Sequence, residues 1–313
     1  MNSSKTTPVR LRAGSPAQLV ATLPYLFGFR PDNSVIILGL QGRRIDGTAR
    51  VDASVVLAAG FDVEVLRGRL SSITAPSHQI IVVAWIDDVD DARRAINVVG
   101  NATGLPDMAV IVSHGRCQAD GGPWQECVDH LAEADEAGLT VLDSRDALEA
   151  SVAGPSDAEW ATMADAWACA CHSVEALTPG KQRARARRLM EQGLEVPGGL
   201  SSESCLELAA LARQGHVRDV MTALITIKSA RHHTELWRLV VTKAPAEAAP
   251  AVLGLLGLAA WLMGEGALQV CCMQRGLAID PSHSLLRLIE AINVMGVHPR
   301  EWARVRRLGY MGA

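Results

Sequence analysis

Five residues near the N-terminus carry the side chains best suited to holding a small charged molecule: Arg30, Asp32 and Ser34 in one stretch, Arg50 and Asp52 in another. Arg30-Pro31-Asp32-Asn33 has the composition of a turn, because proline fixes φ and Asp or Asn side chains bond their own backbone. The apolar run Val35–Leu40 follows as a strand. Gln41-Gly42-Arg43-Arg44 then turns the chain into a second strand over about Ile45–Val51. If the two strands pair as a hairpin, Arg50 and Asp52 return to the Arg30–Ser34 turn. Two guanidinium groups there would clamp a phosphate or carboxylate, with Ser34 as a further donor and a carboxylate left for a metal or a proton. More plainly, Asp32 and Ser34 are turn residues and Arg50 pairs with Asp52 or Asp32.

A second charged cluster is the run Lys181-Gln182-Arg183-Ala184-Arg185-Ala186-Arg187-Arg188. On a helix Lys181, Arg185 and Arg188 share one face and Arg183 and Arg187 another, so the run could meet several phosphates of a nucleic acid. It has no interleaved aromatics and matches no nucleic-acid reader motif, so a solvated connector helix ranks ahead.

Other chemistry finds less footing. Cys169 and Cys171 of Cys169-Ala170-Cys171-His172 point about 200° apart on a helix and do not share an ion. Cys127 and His130, three apart on an expected helix and joined by Cys117, lack a fourth ligand, so no metal site is expected. No GxSxG elbow, GxxxxGKS or GxxxxGKT phosphate loop, or strand-borne GxGxxG occurs, and no cofactor is expected. His114 stands alone after its strand. His232 and Glu235, three apart on an expected helix, could pair, a structural arrangement.

The elements behind these residues fall into two halves. The 313 residues suffice for two domains with cores of their own. In the first half, Ser15-Pro16 starts a short helix, with a capping hydroxyl before a proline whose missing N–H costs nothing. Phe61–Ile73 has helical spacing, and Gln79–Ile86 and Met108–Ser113 read as strands buried on both faces. Asp87–Val99 is a helix with acids at its positive end. Trp124–Ala137 is a further helix and Leu139–Leu142 a short last strand. This alternation predicts an α/β domain over 1–153: a mixed sheet with one antiparallel hairpin, layered with helices.

Ala153-Gly154-Pro155 marks the boundary, and 156–313 is expected to be all helical and repeat-like. Trp160, Met163, Trp167, Cys171 and Val174 form one buried stripe. Near 250–295 a helix ending at Gly264, another closing on Asp280-Pro281 and a third over Leu285–Met295 resemble a tetratricopeptide hairpin, with Gln269 and Gly276 where that pattern favours alanine.

Composition narrows the setting. Nearly half the residues are apolar and the net charge of −4 argues against wholesale binding to nucleic acid or an anionic membrane. The longest apolar run, Ala251–Met263, covers roughly 20 Å as a helix, against a hydrocarbon core of ~30 Å. No signal-peptide core follows the polar start MNSSKTTPVR, and seven cysteines do not form an even framework. A reducing cytoplasm is the expected setting, with no membrane partner.

Two blocks carry a family resemblance. Leu23–Leu40 (LPYLFGFRPDNSVIILGL), followed by Ala49-Arg50-Val51-Asp52, resembles the opening of the actinobacterial proteins called domain of unknown function 4192. The second block comprises Arg218-Asp219, Glu235-Leu236-Trp237, Ala244-Pro245, Ala260-Trp261, Gly264–Leu268 and Asp280-Pro281. In such proteins the Gly-Arg after the strand Met108–Ser113 tends to precede tryptophans and a longer polar insert; here Gly115-Arg116 leads to Cys117-Gln118 and a short one. The resemblance implies no reaction, cofactor or catalytic residue. On these grounds the chain is expected to be a non-catalytic binding or adaptor module for a small anionic ligand or a protein partner. The alternative is an enzyme acting on a phosphorylated or carboxylated small molecule, with Asp32 or Asp52 as the working carboxylate. A DNA-associated factor using 181–188 comes third.

Overall fold

The structure is a computed structural model that describes residues 13–74, 79–128, 131–132, 134, 141–196 and 198–307. The chain divides into two compact units, Met1–Arg145 and Asp146–Ala313.

In the first unit, helix α1 (Pro16–Phe27) starts where the Ser15 hydroxyl accepts the Gln18 amide. It stops at Gly28, whose φ of +76° suits a residue without Cβ, and whose amide bonds the Pro24 carbonyl. Strands β1 (Ser34–Gln41) and β2 (Arg44–Asp52) form the expected hairpin, with Ser34 opposite Asp52 and Ile36 opposite Arg50. Two helices, α2 (Ala53–Val56) and α3 (Val63–Thr74), precede β3 (Gln79–Trp85). Helix α4 (Val89–Thr103), capped by the Asp88 carboxylate on the amides of Asp90 and Asp91, leads to β4 (Met108–Ser113). Strands β5 (Arg116–Ala119) and β6 (Gln125–Glu126) complete a six-stranded sheet of order β2-β1-β3-β4-β5-β6 among the described residues. Only β3 and β4 run parallel; the other neighbours are antiparallel.

Because β1 is central, both its faces are covered. Val35 and Ile37 join Val82, Ala84 and Ile111 against the buried residues of α2, α3 and α4. Helix α1, absent from that cluster and lying against β5, covers the other face, where Ile36 and Leu38 are wholly buried. Alternation along each strand sorts the side chains between these layers.

One sequence expectation fails here, and one strand escaped the sequence. The segment expected as a helix over Trp124–Ala137 begins with β6, and the Cys127 amide bonds the Gly115 carbonyl instead of a helical partner. Most of the remainder lies outside the described residues. Helical spacing of apolar residues was the only signal there, and pairing with β5 overrides it. Strand β5 itself escaped notice: its hairpin with β4 turns at His114 (φ +46°) and Gly115 (φ +73°). Two positive φ values are what a tight hairpin turn requires, but His-Gly is a weaker signature than Asn-Gly. Of the expected strand Leu139–Leu142, residues 139 and 140 lie outside the described part; Leu142 makes a parallel bridge to Phe29.

The second unit is helical among its described residues. Helix α5 (Arg145–Ala150) begins at the division. A capping box then opens α6 (Asp157–Glu175), with Ser156 and Glu159 satisfying each other's backbone amides. The series continues with α7 (Pro179–Glu195), α8 (Ser202–Arg213), α9 (Gly215–Leu224) and α10 (Ala230–Val241). It ends with α11 (Ala249–Met263), α12 (Gly266–Ile279), α13 (Ser284–Val294), a short 3-10 turn and α14 (Trp302–Arg307). Helix α11 is buried on all sides from Ala249 to Leu262, which is why its sequence is apolar without a polar stripe. Gly276 of α12 sits where an added Cβ would collide with Leu286 of α13, so close packing explains a glycine where a repeat consensus has alanine. No described helix is long and apolar enough to cross a membrane.

His233 on α10 lies in the core of this unit, 1% exposed with Nδ1 unpartnered. Burial pulls its pKa down to about 4, from 6.5. Between those values the unfolded chain binds more protons than the native one. Native stability is therefore full above pH 6.5 and falls as pH drops toward 4, by about 3 kcal/mol for this ring. Urea denaturation followed from pH 7 to 4 should show that loss, and His233→Leu should flatten the slope by about one proton.

Candidate ligand-binding edge of the sheet

The β1–β2 register brings four of the five N-terminal site residues together. Arg50 lies 2.9 Å from the Asp52 carboxylate and donates to the Asp32 carbonyl at 3.3 Å. Its guanidinium stacks 5.5 Å from the centre of the Phe29 ring, a cation–π contact. The Arg50 side chain is only 10% exposed, whereas that of Asp52 is 48% exposed and marks the mouth of the cluster. The Asp32 carboxylate accepts the Asn33 amide at 2.8 Å, as turn composition suggested. Arg30 joins through its backbone alone, its amide bonding the Leu142 carbonyl while the residue is exposed.

Two polar atoms at this edge lack hydrogen-bond partners among the described residues. Ser34 is 0% exposed and its hydroxyl is bare; Nε of Arg50 is buried and bare as well. Ser34 and Arg50 occupy diagonal positions on one sheet face, ~7 Å apart by sheet geometry. An unmet buried donor costs ~1–3 kcal/mol, so such groups call for an explanation.

The same edge lies at the carboxyl ends of β3 and β4, the side on which open α/β sheets take ligands. Trp85 is the β3 partner of Ser34. Beyond it, the Asp87 carboxylate accepts the His114 amide at 2.9 Å and lies 3.5 Å from Nδ1 of the exposed His114 ring. Ser113 donates to the Asp87 carbonyl at 2.8 Å. His114 and Asn33 both hold positive φ without being glycine, each at a turn that leads into or out of a strand. Phe29, Asp87 and Ser113 were missed in the sequence, since only tertiary pairing sets Phe29 beside Arg50 and Asp87 beside Ser113 and His114.

The remaining candidates divide. On α7, Arg185 forms a two-point pair with Glu207, both bonds 2.7 Å, and leaves the basic cluster. Lys181, Arg183, Arg187 and Arg188 are exposed, opposite the buried face of Gln182, Ala186 and Leu189. Cys127 is not on a helix, contrary to expectation; it bonds the buried Cys117 thiol, which burial pushes up, and His130 lies outside the described residues. Among the described residues no three His, Cys, Asp or Glu side chains gather as for a metal ion. Glu235 pairs with Arg231 at 3.5 Å, one turn away, and among the described residues forms no ion pair with His232.

A mixed sheet with a polar, partly unsatisfied edge at its parallel strand ends, followed by a helical unit, defines the class: an α/β unit joined to an all-α unit. The chain belongs to the family described as domain of unknown function (DUF4192), whose model matches residues 16–300. No curated protein and no solved structure matches it.

Ser34→Ala tests whether the bare hydroxyl is a structural cost. Removing it should leave stability unchanged or raise it by ~1 kcal/mol, whereas a hydroxyl with a hidden structural partner would give a loss of similar size, read from the urea midpoint.

Proposed function

We propose that the protein is a non-catalytic binding module whose α/β unit holds a small anionic molecule at the carboxyl edge of the sheet. One observation carries this: Nε of Arg50 and Oγ of Ser34 are both buried and both bare, and their residues lie diagonally opposite on one sheet face. A carboxylate or phosphate oxygen supplies the acceptor both lack. The acids nearby do not serve Arg50 fully: Asp32, Asp87 and Asp88 carboxylates are bonded to backbone amides, and only Asp52 reaches it. The incoming anion competes with that half-exposed Asp52.

The setting is read as cytoplasmic, supported by seven cysteines that form no disulfide among the described residues, and the source as actinobacterial on the resemblance of Leu23–Leu40. Helices α11 to α13 are read as a tetratricopeptide-like hairpin and a surface for a protein partner, supported by their antiparallel-hairpin sequence with Asp280-Pro281 at the second turn. An enzyme working through Asp32 or Asp52 has weaker support, because both carboxylates are already bonded.

Thermal shift and calorimetry on the full chain, with inorganic phosphate and succinate as probes, test the binding reading. A bound anion raises Tm with concentration. Arg50→Met should weaken binding at least about tenfold, and Asp52→Asn should strengthen it by removing the competitor. Binding that ignores both substitutions, or no binding by either probe, sinks the proposal for this edge.

Lys181, Arg183, Arg187 and Arg188, exposed and without an ion pair among the described residues, keep a nucleic-acid role as a second reading. A gel shift in low salt, abolished when the three arginines become alanine, is its expected signature. No shift in low salt ends it.

A further inference from the structure

The helical unit contains a pocket of about 550 Å³, lined in part by Arg213, Arg218, Pro250, Ile279, Asp280 and His283. That volume lies in the ordinary range for small-molecule sites, roughly 300–1,000 Å³. The pocket draws on the junction of α8 and α9, the start of α11 and the loop between α12 and α13.

Its polar groups are unevenly satisfied. His283 is nine-tenths buried, and neither ring nitrogen has a hydrogen-bond partner among the described residues. Burial, aided by the charge of Arg218, holds the ring at a pKa of about 4, so at neutral pH it has one N–H donor and one bare acceptor. Arg218 is half-buried, and burial pulls its pKa down from the ordinary value. It makes two long hydrogen bonds, each 3.4 Å, to the Ala212 carbonyl and the Ser284 hydroxyl. No described carboxylate forms an ion pair with it; Asp219 and Asp280 act on it through space alone.

The other charges are already occupied. Arg213 lies 3.7 Å from Glu247 and stacks 5.8 Å from the Trp167 ring, while Trp167 Nε1 donates to the same carboxylate. Asp280 accepts from the Ser282 amide and hydroxyl at 2.9 and 2.7 Å, which fastens the loop. Helix α13 starts on the pocket wall at Ser284 without a side-chain cap, so its positive dipole end adds to the Arg218 charge. Pro250, Ala251 and Ile279 supply the apolar wall.

A half-buried cation without a counter-ion, beside a buried ring with both nitrogens bare, lacks one thing: a compact group with negative charge and oxygen acceptors. We propose that this pocket binds a small molecule bearing a single carboxylate or phosphate head, with Arg218 taking the oxyanion, the His283 N–H donating to it, and the ligand's apolar part lying against Pro250 and Ile279. The carboxyl groups of Glu247 and Asp280, each fixed by its own partners, bar a polyanion, so nucleic acid is excluded from this site. The site stands apart from the sheet edge, on different residues of a different unit, and holds whether or not that edge binds anything.

The ring of His283 reports directly. In the full chain labelled with ¹⁵N-histidine, the His283 ring signals are assigned by their loss in His283→Gln. Inorganic phosphate and succinate are then titrated separately. The expected result is a saturable movement of the His283 signals with at least one of them, which also names the head group. Arg218→Gln should weaken that response at least about tenfold while the other histidine signals stay in place. If that variant does not fold, Arg218→Met serves the same purpose. Arg50→Met should leave the titration unchanged, which separates this site from the sheet edge. His283 signals that ignore both anions, or that move with equal affinity in a folded Arg218 variant, overturn the proposal.

Discussion

Everything in the α/β unit depends on β1 lying between two antiparallel neighbours. Held by its ladders to β2 on one side and β3 on the other, and covered by helices on its faces, the strand is wholly buried from Ser34 to Leu38. A strand buried on both faces must be apolar on both, and Val35-Ile36-Ile37-Leu38 is. Slipping either ladder by one residue would turn every neighbouring side chain to the opposite layer. The same register fixes the edge chemistry, because it alone sets Asp52 against Ser34 and Arg50 against Ile36. Fold and candidate site are thus one constraint viewed from two ends of a strand.

The two units resolve buried polarity differently. At the sheet edge a nearly buried guanidinium keeps one carboxylate, one carbonyl and one aromatic face, yet retains a bare Nε. In the helical unit Arg185 is satisfied by a two-point pair with Glu207, while Arg218 has only long neutral contacts. Full satisfaction is what a purely structural arginine achieves, as Arg185 shows. Incomplete satisfaction at Arg50 and Arg218 is the physical basis for placing ligands there and not along the better-advertised basic run.

Much of the architecture was legible in the residues. The β1–β2 hairpin, the helix after Ser15-Pro16, the acid-capped α4 and the helical character of the second half all follow from local rules of spacing, capping and turn composition. What escaped is instructive. The helix expected from Trp124 gave way to β6, because two residues paired across a hairpin outweigh a weak apolar period. Strand β5 was invisible because Arg116–Ala119 has little β character and its His-Gly turn is atypical.

For the sites, the sequence by itself determined that Arg50 and Asp52 return to the Arg30–Ser34 turn, since hairpin register is a local property of two strands and their loop. It could not determine that Arg50 would be buried under Phe29, or that Asp87 and His114 would share the edge, because those contacts join strand ends far apart in the chain. Arg218 and Asp280 stood in the sequence as marks of the family resemblance, but nothing there joined them to His283 as a pocket. Its residues come from separate helices and one loop, each unremarkable in its own segment, and only helix packing removes water from His283 while leaving its nitrogens without partners.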